Sequence, residues 1–451
     1  MYTELIPYIE RWLRHFKIDD QAGFESVYKA ADLNKPELEK VYQEFFNRMK
    51  DNYPFHLPEY AGQMLKPPHP YAWLAYSLTM MLNPNNHALD GGPATSEMEK
   101  EVIDKIGEMF GYKKPFLGHL TGGGTVANLE ALWVAGKSHP GKPVLFSEAA
   151  HYTHKRMCEV LGLPYKVIRE TEEGMMDVEH LKSEIEGAGT VVVTMGTTGR
   201  GVTEPLAQIV SVCKKHGVRI HLDAAYGGFF KLVEGRLHYD NLSWAFTNLA
   251  DSIVVDPHKH GLQPYGCGAV LFKDPEVGSF YKHDSPYTYF SSDELHLGEI
   301  TLECSRPGAS AAALWFTLNL IPLDENGLGS MLKSSLNASM ALYRALKNSD
   351  HFFPVSKPHL DIVCFAPNLS SMSEISEASK TIFRNGMEGE KPLYLSLFRM
   401  KSETFTKLFP KIEADQDEVT LLRSVLMKPT HEAFIPEMIN RLNKLFLTIR
   451  G

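Results

Sequence analysis

Six short apolar runs, each closed by turn residues, recur through the middle of the chain, and no other feature narrows the fold as far. They are "PVLFS" near 145, "KVIRE" near 168, "TVVVTMG" near 192, "VRIHLDAA" near 220, "SIVVDPH" near 254 and "GAVLFKD" near 270. Continuous apolar stretches of this length fit strands buried on both faces. Most intervals between them carry helical spacing. In "PLAQIVSVCKKHG" Leu206, Ile209, Val210 and Cys213 share one face and Gly217 supplies the stop. In "SEMEKEVIDKIGEMFG" Met98, Val102, Ile106 and Met109 do the same, with Gly111 at the end. Strand and helix in alternation imply an α/β domain whose mainly parallel sheet is covered on both sides.

The flanks break this pattern. The first 50 or so residues look mainly helical, and after about residue 318 the order becomes helix, strands and a final amphipathic helix, as in a small α+β domain. The expected division is a helical N-terminal segment over 1–56, a large domain over 57–318 and a small C-terminal domain over 319–451. A composition 43% hydrophobic and 22% charged is ordinary for a globular chain of 451 residues. The net charge of -9, with Lys and Arg dispersed, leaves no electrostatic footprint for nucleic acid or an anionic membrane, so a small-molecule substrate is expected. The opening "MYTELIPYIERWLRHFKIDD" lacks the basic and apolar regions of a signal peptide, and no stretch is long and apolar enough to span a bilayer, so a cytoplasmic location is expected. Five scattered cysteines without a CxxC pair suggest neither a disulfide framework nor a structural zinc site.

Three segments carry chemistry. "HLTGGGTVANLEALW" feeds a glycine-rich turn into a helix with Val126, Leu129, Leu132 and Trp133 on its apolar side, and the exposed N–H groups of such a start suit a phosphate. The glycine spacing matches neither a dinucleotide fingerprint nor a Walker A loop. "VRIHLDAAYGGFF" ends an apolar run on Asp223, where a strand's C-terminal end faces the ligand crevice of an α/β sheet. "DPHKHGLQPYGCG" delivers Lys259 to the same edge amid small, uncharged residues, a setting expected to desolvate the ammonium and favour attack on carbonyls. Pyridoxal 5'-phosphate needs a phosphate seat, an acid at its ring nitrogen, a lid over the ring and a lysine for the aldimine. The glycine-rich turn, Asp223, His151 and Lys259 are candidates for these roles, with His258 reaching the phosphate. A zinc site from His151, His154, His258 and His260 is the competing use of these histidines; nothing like HExxH accompanies them, and no metal is expected.

From about residue 55 onward, "NPNNHALDGGPATSEMEKEVI", "TGGGTVANLEAL", "HYTHKRMCEVLGL", "GTTGRG", "HLDAAYGG" and "DPHK" occur in the order that resembles the group II pyridoxal-phosphate-dependent amino acid decarboxylases. The resemblance implies a fold type I, aspartate aminotransferase-like architecture, a homodimer, and decarboxylation of an L-amino acid to its amine. It implies that Gly124 and Thr125 bind the phosphate, His151 stacks on the ring, Thr198 touches the cofactor, Asp223 meets the ring nitrogen, Ala225 packs beneath it and Lys259 forms the aldimine. It assigns proton delivery to Tyr287 in "HDSPYTYFSSDELHLG", with Tyr289 as the alternative, and substrate carboxylate contacts to Gln63 and Arg423, hence a small acidic amino acid as substrate. Departures stand at Gly122, Val126, Thr153 and Glu204, where the family commonly has serine, glutamate, serine and aspartate. "TLECSRPGASAAALW" is also similar to a segment of sphingosine-phosphate lyases, which keeps an aldehyde-lyase as the alternative, beside an aromatic amino acid decarboxylase.

Overall fold

A computed structural model describes residues 2–16, 35–89, 91–237, 239, 241–281 and 300–450. All six apolar runs are strands. They are β2 (Val144–Ser147), β3 (Tyr165–Ile168), β4 (Thr190–Thr194), β5 (Arg219–Asp223), β6 (Ser252–Val255) and β7 (Gly268–Phe272), and β1 (Leu117–Thr121) joins them in one sheet. The order across the seven-stranded sheet is β1-β7-β6-β5-β4-β2-β3. Strands β2 to β6 pair in parallel, while β7 runs antiparallel to both β6 and β1. Every residue of β4, β6 and β7 is buried, which is why these runs lack polar alternation.

Among the described residues the α-helices of seven residues or more, in the order of the chain, are α1 (Ile6–Phe16), α2 (Lys35–Met49), α3 (Pro70–Leu82), α4 (Pro93–Met109), α5 (Gly124–Ser138), α6 (Thr153–Leu161), α7 (Val178–Glu184) and α8 (Leu206–His216). They continue with α9 (Gly308–Leu320), α10 (Leu328–Lys347), α11 (Met372–Gly386), α12 (Ser402–Leu408) and α13 (His431–Arg450). Helix α8 buries Leu206, Ile209, Val210 and Cys213 and stops at Gly217, whose φ of 63° is a left-handed cap that glycine adopts without a Cβ penalty. Helix α5 differs from its expected single stripe. Of the four residues expected there, Leu132 is fully buried, while Val126, Leu129 and Trp133 are half-buried; Ala127, Ala131 and Ala135 are buried with Leu132, because small side chains let the helix sit close on the sheet. Its Glu130, fully buried, is held by His119 Nε2 at 2.9 Å and by the Tyr281 hydroxyl at 3.2 Å.

A second, antiparallel sheet of four strands has the order β10-β11-β9-β8, with β8 Phe352–Pro354, β9 Ile362–Pro367, β10 Ser396–Lys401 and β11 Glu418–Val425. Residues just before the large sheet attach to this second one: Tyr60 bridges Tyr394, and the Val425 N–H donates to Ala61 O at 2.8 Å. No helix among the described residues is long and apolar enough to cross a membrane.

Candidate active site

The parallel strands point their C-terminal ends at one cavity of about 300 Å³, and the residues that line it come from every segment flagged by chemistry. Pairing of β4 with β5 sets Thr194 beside Asp223, and pairing of β5 with β6 brings the turn after Val255, with Asp256 and Lys259, to the same edge. Gly124, Thr125, His151, Thr198, Asp223, Ala225, His258 and Lys259 all line this cavity. Gln63 and Arg423 do not: Gln63 is exposed in a neighbouring depression with Tyr60 and Tyr394, and Arg423 is buried behind the floor. Tyr287 and Tyr289 lie outside the described residues.

The phosphate seat is built from the turn upward. Gly123 has φ 143° and precedes α5, whose first intrahelical bond runs from the Ala127 N–H to Gly123 O at 3.1 Å. The amides of Gly124, Thr125 and Val126 therefore have no helical acceptor, and they sit at the positive end of the helix. A Cβ on Gly124 would stand 2.6 Å from Asp256 Oδ2, so only glycine lets the turn approach the lysine loop this closely. At Gly122, in place of the family's serine, Glu303 Oε2 accepts the N–H at 2.7 Å, and a Cβ there would fall 2.8 Å from Oε1, the movable end of that side chain.

Lys259 Nζ lies 3.0 Å from Asp256 Oδ2, and the lysine backbone N–H donates to Asp256 O at 2.9 Å. Asp256 is 2% exposed, and its Oδ1 has no hydrogen-bond partner among the described residues. The loop is thus less apolar than its sequence suggests, since a buried carboxylate holds the ammonium. His258 donates from Nδ1 to Cys267 O at 2.7 Å, and burial holds its pKa below the usual imidazole value. His151 is fixed by Thr153, whose hydroxyl is 2.8 Å from Nδ1, so threonine serves where the family has serine.

Asp223 is almost fully buried. Burial alone would raise its carboxyl, yet the hydrogen bond from His154, with His154, His221 and Lys259 around it, outweighs that and holds it well below the usual carboxylate range. His154 Nε2 stands 2.8 Å from Asp223 Oδ2, and the Ala225 N–H donates to Oδ1 at 3.2 Å. Glu204, also fully buried, goes the other way: desolvation pushes it up to about 8, while its Oε2 accepts the Thr194 N–H at 2.6 Å. The reading from sequence missed Asp256 and the role of His154. Their signal was present as an acidic residue three before the lysine and a histidine three after His151, but spacing alone does not say what they face.

A cavity of this size, an unpartnered buried carboxylate oxygen beside a lysine, free amides at a helix start and an ionised buried aspartate fit pyridoxal phosphate. Phosphate on the Gly122 amide would first require Glu303 to leave it.

Arg306 of the "SRPG" segment points away from this chemistry. Its guanidinium is 5% exposed, pairs with buried Glu99, and donates to Leu120 O at 2.9 Å and Asn86 O at 3.1 Å. It is a clamp between the segment and β1.

Comparison with known proteins points the same way. The conserved domain described as the pyridoxal-dependent decarboxylase domain matches residues 54–367. A probable L-tyrosine/L-aspartate decarboxylase of Methanosphaera stadtmanae is 29% identical over 311 residues, 67% of this chain and 77% of that one. An L-aspartate decarboxylase of Thermococcus kodakarensis is 26% identical over 72% of this chain and 84% of its own length. A crystal structure of mouse CSAD superimposes with a TM-score of 0.78 over 94% of this chain and 92% of that chain, at 21% identity, and shows the shared fold.

Proposed function

Because the chain belongs to the pyridoxal-dependent decarboxylase family and its cofactor is pyridoxal 5'-phosphate, we propose that it decarboxylates a small acidic L-amino acid. The observation that carries this reading is the convergence of Lys259, Asp223, His151 and the glycine-rich turn on one cavity. When bound, the cofactor supplies an electron sink for the charge left on the α-carbon as carbon dioxide departs. Lys259 would hold its aldehyde carbon covalently, with Asp256 at 3.0 Å orienting the amine. Asp223 would keep a proton on the ring nitrogen, His151 would cover one ring face and Ala225 would leave room beneath. The amides and hydroxyl around Gly124 and Thr125, with His258, would hold the phosphate.

Acidic substrates are favoured by the aspartate activity named for the Thermococcus relative; Gln63 and Arg423, the carboxylate contacts that the family resemblance implies, stand outside the lining of the cavity. Arg423 gives four of its five N–H groups to Gly199 O, Thr198 O, Gly62 O and the Ser396 hydroxyl, which anchors it behind Thr198 of the cavity lining. Carbon dioxide release from aspartate, glutamate, cysteine sulfinate, tyrosine and tryptophan tests the choice. Aspartate is expected to have the highest kcat/KM; an aromatic substrate in first place overturns the acidic reading and leaves the decarboxylase assignment standing.

Tyr287 is assigned proton delivery to the α-carbon. Tyr287→Phe is expected to lower amine formation by about a hundred- to ten-thousand-fold, the usual worth of a positioned acid, with substrate affinity retained. A dead Tyr289→Phe beside an active Tyr287→Phe would transfer the role.

A homodimer completes the reading. Helix α2 exposes Leu38, Val41, Tyr42, Phe45, Phe46 and Met49, each between 47% and 58% exposed, at helical spacing along one face. A second copy would cover that face about a two-fold axis. Sedimentation of wild type should give twice the chain mass, and Val41→Asp with Phe45→Asp should shift it to the monomer; a monomeric wild type contradicts the proposal.

A further inference from the structure

We infer that His154 is a positioning residue that holds the Asp223 carboxylate ionised and oriented toward the cofactor's ring nitrogen, a role that rests on the function proposed above. His154 sits on α6, one turn beyond His151, and is fully buried. Its Nε2 contacts Asp223 Oδ2 at 2.8 Å, while its Nδ1 is buried with no hydrogen-bond partner among the described residues. An imidazole placed this way satisfies its buried donor only with the proton on Nε2, so the ring is a one-directional donor to Asp223.

The surroundings make that donor necessary. Asp223 is faced by His154 from α6, by His221 from its own strand, by Lys259 from the loop after β6 and by Glu204 from the segment before α8. His221 does not reach the carboxylate, because its ring is spent elsewhere: Nε2 is 2.8 Å from Asn128 Oδ1 and Nδ1 is 2.9 Å from Ser252 Oγ. Glu204 is turned to the Thr194 N–H, which its Oε2 accepts at 2.6 Å, and desolvation pushes its carboxyl up to about 8. Among the described residues that leaves two direct hydrogen bonds to the carboxylate, the Ala225 amide on Oδ1 and the imidazole on Oδ2. Without His154, a carboxyl this deeply buried would drift toward its neutral form, and a neutral acid cannot hold a proton on a pyridine nitrogen. His154, which is not among the residues that line the cavity, therefore acts through Asp223.

The test compares His154→Phe, His154→Gln and His154→Asn in the full-length holoenzyme, reconstituted with pyridoxal phosphate carrying nitrogen-15 in the ring. Glutamine can place its amide N–H where Nε2 stands; asparagine is one methylene too short. In wild type the ring nitrogen should give the protonated chemical shift at neutral pH. In the Phe and Asn variants it should move to the unprotonated value, with kcat lowered about tenfold to a hundredfold, the range set by a charge-assisted hydrogen bond, and KM nearly unchanged. The Gln variant should restore both. Should the Phe variant not fold, the Gln and Asn pair, polar and similar in volume, decides alone. A protonated ring nitrogen and unchanged kcat in the Phe or Asn variant overturns the role of His154. Borohydride trapping of the pyridoxyl group in wild type separates the two ideas: a label on Lys259 with no effect at 154 sinks only this inference, whereas no label on Lys259 sinks the underlying site.

Discussion

Lys259→Ala is expected to lose decarboxylation by about ten-thousand-fold, the upper end of what a positioned acid–base group contributes, because the same side chain is also the covalent anchor. The structure explains why no neighbour substitutes. The cavity's lining has no lysine other than Lys259, and the carboxylate that steadies it, Asp256, is 2% exposed and aimed at that one amine. The variant should still take up pyridoxal phosphate through the amides of the turn, though more weakly, and borohydride should leave no pyridoxyl group on the chain. Removing the ammonium also leaves Asp256 buried without its cation, so thermal unfolding should be followed alongside activity. A label on another lysine, or a rate within tenfold of wild type, refutes the assignment of Lys259.

The second large effect concerns stability. Arg306→Ala should cost about 3–5 kcal/mol, since it strands a buried carboxylate. Glu99 is 1% exposed and also accepts the Leu120 N–H at 2.9 Å and the Asn86 side-chain amide at 2.7 Å, so it is tied in place and cannot turn toward water. Leu120 leads directly through Thr121 into the glycine-rich turn, and loosening the clamp should therefore weaken cofactor retention as well. Denaturant titration of the holoenzyme measures the first and dialysis against cofactor-free buffer the second. Replacing both partners with apolar residues, Glu99→Leu with Arg306→Met, should recover much of the loss, because an apolar pair leaves no charge unpaired. A single-variant cost below about 1 kcal/mol would place the pair among ion pairs of little consequence.

Much of the fold was legible without coordinates. The six apolar runs became β2 to β7 because a strand covered on both faces must be apolar throughout, and α8 ended at Gly217 because the left-handed cap favours glycine. Strand β1 escaped notice: "LGHLT" is short, contains a glycine and a histidine, and reads as the approach to a turn. The reversal of β7 was equally invisible, since "GAVLF" has the same pattern in either direction. At the site, residue types at strand ends were readable because the chemistry of the cofactor demands them.

What the sequence determined by itself, then, was the alternation of buried strands and amphipathic helices and the delivery of Asp223 and Lys259 to one sheet edge, both consequences of local periodicity and of the rule that ligands gather at strand C-termini. Only the tertiary structure decided the pairings across long separations. His154 meets Asp223 from 69 residues away, and Arg306 meets Glu99 from 207. Periodicity reports which face of an element is buried, not which polar atom waits on the other side. A buried polar group needs a specific partner at hydrogen-bond distance, and that distance exists only once the sheet order and the strand register have brought the two segments together.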